Sequence, residues 1–427
     1  MHASFQNATP EEANANPPCW GGAEKEPEVL EALYQSAKAI LQNEGAGTDV
    51  FEAVRRLRKA AAAGHIEAMV ELGLCYENGK GLPRNIEAAL WWYKKAAEAG
   101  SGRACYSIGV YYEKQKTPHA LAKAVCWYRK SAEYGNSHAL VNLGWCYQNG
   151  KGVAPDPIQA CFYYRAAAEA GNVNGMYNLG WCYEKGYGVP RDVRQSLTWY
   201  RKASAFGSVP AMLALAYLYE NGDALPYDPE QIAFWYQKAA EAGSAVAMYR
   251  LGRFLLRHAN SEENLATAVH WLAESWNLRH APAAFALGYC YAFGKGVPPN
   301  WARAAELYEE AAKQGYAPAM EPLALCYALG RGKPCDWVEA FKYFKKSARR
   351  GSLSALYWCG VCHLLGKGAR QNFTAAAIYL TRAAAAGHVK SMYLLAECYR
   401  LGLGVPADPD KAVHYTTLAE TLTKQRA

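Results

Sequence analysis

Residues 139–147 read Ala-Leu-Val-Asn-Leu-Gly-Trp-Cys-Tyr, and the same frame returns at 68–76 as Ala-Met-Val-Glu-Leu-Gly-Leu-Cys-Tyr and at 283–291 as Ala-Ala-Phe-Ala-Leu-Gly-Tyr-Cys-Tyr. Self-similarity at a fixed spacing marks a repeat array. The spacing is 36 residues, with units starting near Ala32, Ala68, Ala104, Ala139, Gly175, Ala211, Ala247, Ala283, Ala319, Ala355 and Ser391, and one 35-residue interval at a shortened turn near Gln115. Eleven units fill 32–427.

Each unit opens as A-x-x-x-L-G-x-C/L-Y and continues through G-K-G-V-P-x-D/N to A-x-x-W-Y-x-K-A-A-E-x-G. Apolar residues recur at helical spacing in both halves, so each unit is expected to be a hairpin of two amphipathic helices. Paired glycines such as Gly79 and Gly81 suit the positive φ that ends a helix. Asn85, Asp156, Asp192, Asp228, Asn300, Asp336, Asn372 and Asp408 stand where the second helix needs its N-cap. Small residues such as Gly144, Gly180, Ala89 and Ala160 are expected to let the two helices approach, and pairs such as Trp92-Tyr93 to fill the space between successive hairpins. One hairpin cannot cover its own apolar face, so stacked neighbours must make a continuous core.

This consensus resembles the Sel1-like repeat family, a relative of the tetratricopeptide repeat with a longer turn. The resemblance covers residues 32 to 427. It implies an all-α, right-handed α-solenoid of stacked helix-turn-helix repeats and, since proteins of this family generally assemble multiprotein complexes, a non-catalytic adaptor.

Composition agrees with a folded, basic body. Hydrophobic residues make up 51% and charged residues 20% of 427, outside the regime of disordered chains. The net charge is +8, but residues 1–31 carry six Glu against one Lys, so an acidic and flexible leader is expected before the repeats. No run approaches the roughly 20 apolar residues of a membrane span, and no signal peptide opens the chain, so a cytoplasmic protein is expected. Thirteen cysteines cannot all pair within one chain. Seven of them share one repeat position, as small buried hydrophobes would; Cys146 and Cys161, on facing helices of one hairpin, are the pair most compatible with a bond.

Two units depart from the consensus. The 104–138 unit lacks the turn glycines, and the unit from Ala247 replaces them with Leu255-Leu256-Arg257-His258-Ala259-Asn260-Ser261, with Trp276 and Arg279 at places elsewhere held by Ala and Gly. A change of curvature near 250–280, dividing the solenoid into two arms, is the expectation from this break.

Apparent chemical motifs dissolve into the repeat. Trp358-Cys359-Gly360-Val361-Cys362-His363 imitates redox and haem-attachment motifs, yet occupies the ordinary Gly, Cys and Tyr places of a first helix. Gly-Lys-Gly at 79–81, 150–152 and 294–296 lacks the Walker spacing and its Ser or Thr. The histidines show no metal-ligand spacing, and no nucleophile, base and orienter assemble from the sequence. No catalytic residue, metal, cofactor or small-molecule substrate is therefore expected.

In the tetratricopeptide relatives the first helix of each hairpin lines the concave side. Carried over through the shared L-G-x-x-Y frame, this exposes the residue two before the Leu and the one after the Gly: Tyr106, Trp145, Tyr177, Trp181, Tyr217, Tyr249, Arg253, Phe285 and Tyr289. One turn further sit Glu184 and Glu220, with Glu77 and Glu113 before them, whereas Ala292-Phe293 and Leu364-Leu365 make the later repeats more apolar. Tyr and Trp offer large contact area at low entropic cost. The expected function is capture, in an acidic and aromatic groove, of an extended or helical protein segment bearing basic residues.

Two alternatives stay open. A row of Lys94-Lys95, Arg129-Lys130, Arg165, Arg201-Lys202 and Lys238 on the second helices offers a basic outer ridge for an acidic surface or nucleic acid, although Glu98, Glu133, Glu169 and Glu241 partly cancel it and no nucleic-acid motif accompanies it. Stacking of open solenoid ends would make a self-assembling structural oligomer.

Overall fold

The computed structural model describes residues 27–42, 47–221 and 226–426. They divide into two compact units, one ending at Ala211 and one beginning at Met212. The first holds α1 (Pro27–Gln42), α2 (Gly47–Ala62), α3 (Ile66–Asn78), α4 (Ile86–Glu98), α5 (Gly102–Lys114), α6 (Pro118–Glu133), α7 (Ser137–Asn149), α8 (Pro157–Glu169), α9 (Val173–Lys185) and α10 (Val193–Ala205), and the division falls within α11 (Val209–Asn221). The second continues through α12 (Pro229–Glu241), α13 (Ala245–His258), α14 (Glu262–Asn277), α15 (Ala281–Phe293), α16 (Trp301–Lys313), α17 (Met320–Leu329), α18 (Trp337–Arg349), α19 (Leu353–Leu365), α20 (Phe373–Ala385), α21 (Val389–Leu401) and α22 (Pro409–Arg426). Each unit is an all-α solenoid of stacked hairpins, with no strand among the described residues.

The turns inside the hairpins repeat one hydrogen-bond pattern. Gly150 ends α7 at φ 64°, and its N–H, like that of Lys151, donates to the Cys146 carbonyl. Asp156 then caps α8: its carboxylate accepts from the Ile158 and Gln159 amides, while its own N–H donates to Tyr147 O at 3.0 Å. Side-chain caps are likewise made by Asn85, Asp192, Asp228, Asn300, Asp336, Asn372 and Asp408. One residue thus closes the turn and opens the next helix, which supplies orphan amides with acceptors in a short loop.

The two helices of a hairpin meet at a glycine and a ring. A Cβ at Gly144 would stand 2.5 Å from the Tyr164 ring, and Gly73, Gly109, Gly180 and Gly288 face Tyr93, Tyr128, Tyr200 and Tyr308 in the same way. These tyrosines are buried. They fill the slot that the missing Cβ leaves in their own hairpin, and Tyr93 and Tyr128 also reach Ser107 and Asn142 of the next hairpin; Leu272 and Leu380 fill the corresponding slots at Gly252 and Gly360. The core is nonetheless continuous from one hairpin to the next, one buried cluster running from Tyr34 to Ile108 and another from Val269 to Cys326.

Residues 1–26 of the acidic leader lie outside the described residues, and the last five of that segment, from Pro27, already belong to α1. The irregular hairpin at 250–280 lies inside the second unit. Arg279 takes the left-handed conformation (φ 61°) that Gly holds at the ends of other second helices, and its guanidinium lies 5.6 Å over the half-buried Trp276 ring. Lys116 (φ 57°) substitutes for glycine in the shortened turn before α6.

Candidate functional site

The sequence-derived residues separate into two classes by their place on the first helix. In the first unit, Tyr106 and Tyr177, two before the Leu, are half-buried, with their rings 5.8 and 5.6 Å from Tyr128 and Tyr200. The position after the Gly is mixed: Trp145 is 40% exposed, whereas Leu74, Val110 and Trp181 are half-buried, Trp181 beside Tyr187 at 5.2 Å.

Glu184 is a correction. It was expected to line an open groove but is buried, because its Oε2 accepts a 2.8 Å hydrogen bond from Tyr200 Oη and its Oε1 lies 2.5 Å from Lys185 Nζ. Tyr93 donates in the same way to Glu77 at 3.0 Å, Tyr164 to Gln148 at 2.6 Å, and Tyr128 to Glu113. Burial first, then the neighbouring carboxylate, pushes the Tyr93 and Tyr200 phenols far above the usual tyrosine range, so each stays a proton donor.

The second unit repeats the split. Tyr249 is half-buried with its ring 5.1 Å from His280, and Phe285 is half-buried between Tyr308 at 5.9 Å and Tyr316 at 5.7 Å. Tyr217 and Tyr289, both after the Gly or its Ala substitute, are each 46% exposed. Arg253 is exposed, donating from Nη1 to Tyr249 Oη at 3.1 Å. Glu220 accepts from Tyr236 at 2.6 Å, and in the next four hairpins the corresponding pairs are Leu272 with Leu256, Tyr308 with Ala292, Phe344 with Ala328 and Leu380 with Leu364.

The outer cations are largely engaged. Arg58, Arg129 and Arg165 donate to Tyr76, Tyr147 and Tyr183 of the following hairpin at 2.9, 2.6 and 3.0 Å, fastening neighbours together. Lys95 and Lys202 lie 4.4 and 4.3 Å over Trp91 and Trp199, and Lys130 and Lys238 over Trp127 and Phe234. A cation on an aromatic face is already partly satisfied. Sequence inspection missed this fastening, although its signal was present: the Arg and Tyr recur 18 residues apart.

Every described cysteine is free. Burial pushes Cys146 up to about 12 and Cys75, Cys290 and Cys326 up to about 11. The thiol beside Cys161 belongs to Cys182 of the next hairpin; that contact and burial hold Cys182 protonated. Cys359 and Cys362 lie within α19 and are raised by burial to about 12 and about 11, so the stretch that imitates a redox motif has no ready thiolate. Among the described residues no His, Cys, Asp and Glu cluster could hold a metal, and no helix is long and apolar enough to cross a membrane.

Comparison with solved structures returns repeat proteins. A protective antigen present in uropathogenic Escherichia coli strains, described as displaying an SLR fold, is 30% identical over 93% of this chain and 88% of that one, with a TM-score of 0.68. A Sel1 repeat protein from Oxalobacter formigenes is 26% identical over 83% of this chain and 90% of that one (TM-score 0.41). Helicobacter pylori cysteine rich protein B is 27% identical over 31% of this chain and 96% of its own (TM-score 0.24). The Sel1 repeat profile matches at 66–101, 102–136, 137–172, 173–207, 209–244, 245–275, 281–316, 317–352, 353–388 and 389–422, and α1 and α2 form a further hairpin ahead of the first match. With ten such matches laid end to end on the hairpins, the chain belongs to the Sel1 repeat family.

Proposed function

We propose that this protein is a non-catalytic adaptor that captures segments of other proteins on the first-helix faces of its hairpins and so assembles a multiprotein complex. The observation that carries this reading is that where the position after the helix glycine, or its alanine substitute, is Trp145 in the first unit and Tyr217 and Tyr289 in the second, a large ring is left exposed. Large rings held on rigid helices give contact area with little conformational entropy to lose. Glu184 and Glu220 already accept tyrosine hydroxyls, so aromatic contact carries more of the binding than charge does, and a basic segment is favoured less than the sequence suggested. The free thiols suit a reducing compartment such as the cytoplasm. A ridge for nucleic acid is weaker support, since Arg129 and Arg165 are engaged in joining hairpins.

Affinity capture with mass spectrometry from native extract, comparing wild type with a folded Trp145→Ala/Trp181→Ala/Tyr217→Ala variant, tests the reading. Partners held by wild type and lost by the variant are expected. Identical partners from both would overturn it.

A further inference from the structure

The last residue of the first helix, just before the turn glycine or, in the shortened turn, before Gln115, changes character along the chain. In the first unit it is Asn78, Lys114, Asn149 and Lys185. In four successive hairpins of the second unit it is Phe293, Leu329, Leu365 and Leu401, exposed by 56, 53, 59 and 54%. Exposed apolar residues scattered singly need no explanation, but one per hairpin at the same place is a row.

Aromatic rings and cations accompany the row. Tyr289 and Phe293 are 4.7 Å apart, and Phe293 stands edge-on to Trp301 at 5.8 Å. The turn of each following hairpin then lays a cation on the ring, Arg331 over Trp301 at 4.9 Å and Lys367 over Trp337 at 5.1 Å. Segments 289–300, 325–335 and 361–371 hold five cations and no Asp or Glu. Lys333 pairs with Glu309 at 2.5 Å, whereas no carboxylate among the described residues pairs with Lys295, Arg331, Lys367 or Arg370.

We propose that this edge of the second unit docks an acidic amphipathic protein segment, whose apolar side chains lie on Phe293, Leu329, Leu365 and Leu401 and whose carboxylates meet the turn cations. The proposal rests on the adaptor reading and names the partner's chemistry. Charge complementarity selects the occupant: beside Phe293, Leu329 and Leu365 the turns carry cations and no carboxylate, while Leu401 extends the apolar row past them, and a segment alternating Leu or Phe with Glu or Asp satisfies both. A bilayer fits less well, because the turn tips after Phe293, Leu329 and Leu365 carry Gly-Lys-Gly or Gly-Arg-Gly, with those apolar residues set back at the helix ends. Stacking of nucleic-acid bases is disfavoured where Arg331 and Lys367 already cover the rings.

The test is fluorescence anisotropy on the full chain with a labelled helical peptide of about 20 residues carrying Leu on one face and Glu elsewhere. Control peptides replace every Glu by Lys, or every Leu by Ser. Binding of the acidic amphipathic peptide is expected, weakened at least about tenfold in each control, in Leu329→Ser/Leu365→Ser and, separately, in Arg331→Glu/Lys367→Glu, with circular dichroism confirming the fold of each variant. Equal binding by the Lys peptide, or by either variant, would overturn the proposal. So would no peptide binding together with capture by phosphatidylglycerol vesicles, or a dimer of the wild type that Leu329→Ser/Leu365→Ser dissolves. If the peptide fails while extract partners still depend on Trp145 and Trp181, this proposal falls and the adaptor reading stands; if that dependence is absent too, both fall.

Discussion

The hydroxyl of Tyr200 donates to the buried Glu184 carboxylate at 2.8 Å, joining α10 to α9 across a hairpin whose backbone approach depends on Gly180. Tyr200→Phe removes the buried donor to Oε2 and leaves that carboxylate with Lys185 alone, at a cost of about 1–3 kcal/mol. Tyr200→Phe/Glu184→Leu is expected to recover most of this loss, since Leu272 with Leu256 and Phe344 with Ala328 fill the same places without polar groups. Urea unfolding of both variants checks it; equal destabilisation of single and double variants would show that the stranded carboxylate is not the cause.

The two glycines of one turn differ in what surrounds them. A Cβ on Gly366 would come 3.3 Å from Gln371 Cβ, a tight contact relieved by a shift of a few tenths of an ångström, whereas one on Gly368 would overlap the Trp337 carbonyl of the preceding hairpin. Both sit at positive φ, where alanine costs about 1–2 kcal/mol. Gly368→Ala is expected to cost about 1–3 kcal/mol more than Gly366→Ala, because backbone must move. Thermal denaturation of the pair gives the answer, and equal melting temperatures would refute the overlap.

Arg129 and Arg165 act as fasteners between hairpins through Tyr147 and Tyr183. Arg129→Met and Arg165→Met should each lower stability by about 0.5–1.5 kcal/mol. Tyr147→Phe should reproduce the Arg129 effect, and the double variant should add little to either single one. Full additivity in the cycle would mean the contact contributes nothing.

Thiol reactivity should follow burial. Of the described cysteines, Cys126 and Cys335 are exposed. Brief alkylation of the native protein at pH 8, mapped by mass spectrometry, should modify these two and spare Cys75, Cys146, Cys290 and Cys362, whose thiols burial keeps protonated. Prompt labelling of Cys362 would contradict the placement of α19.

Burial holds the His280 imidazole below the ordinary histidine value of 6.5. The unfolded chain therefore takes up the proton first, so the His280 contribution is complete above pH 6.5 and is lost as pH falls below it. His280→Asn, which removes the titration at an N-cap place where the imidazole makes no capping bond, should flatten the decline in stability between neutral and mildly acidic pH. An unchanged slope in urea titrations across that range would exclude His280 as its source.

The 36-residue recurrence, the helix pair in each unit, the turn glycines and the Asp or Asn caps were all legible in the chain itself. They are local: a cap reaches two or three residues, and amphipathic spacing lives within one helix, so no distant partner has to be known. What each aromatic does was not legible. Tyr106 and Trp145 look equivalent as exposed first-helix residues, yet one is half-buried against Tyr128 and the other stands in solvent. Glu184 read as a groove acid until Tyr200, 16 residues away, proved to be its partner. These outcomes depend on the packing angle between helices and on which hairpin follows, quantities fixed by the summed fit of many side chains. Sequence by itself determined that this chain is a stack of helical hairpins with a small, buried, repeated core; only the tertiary structure decided which rings and charges face inward to hold the hairpins together and which remain outside.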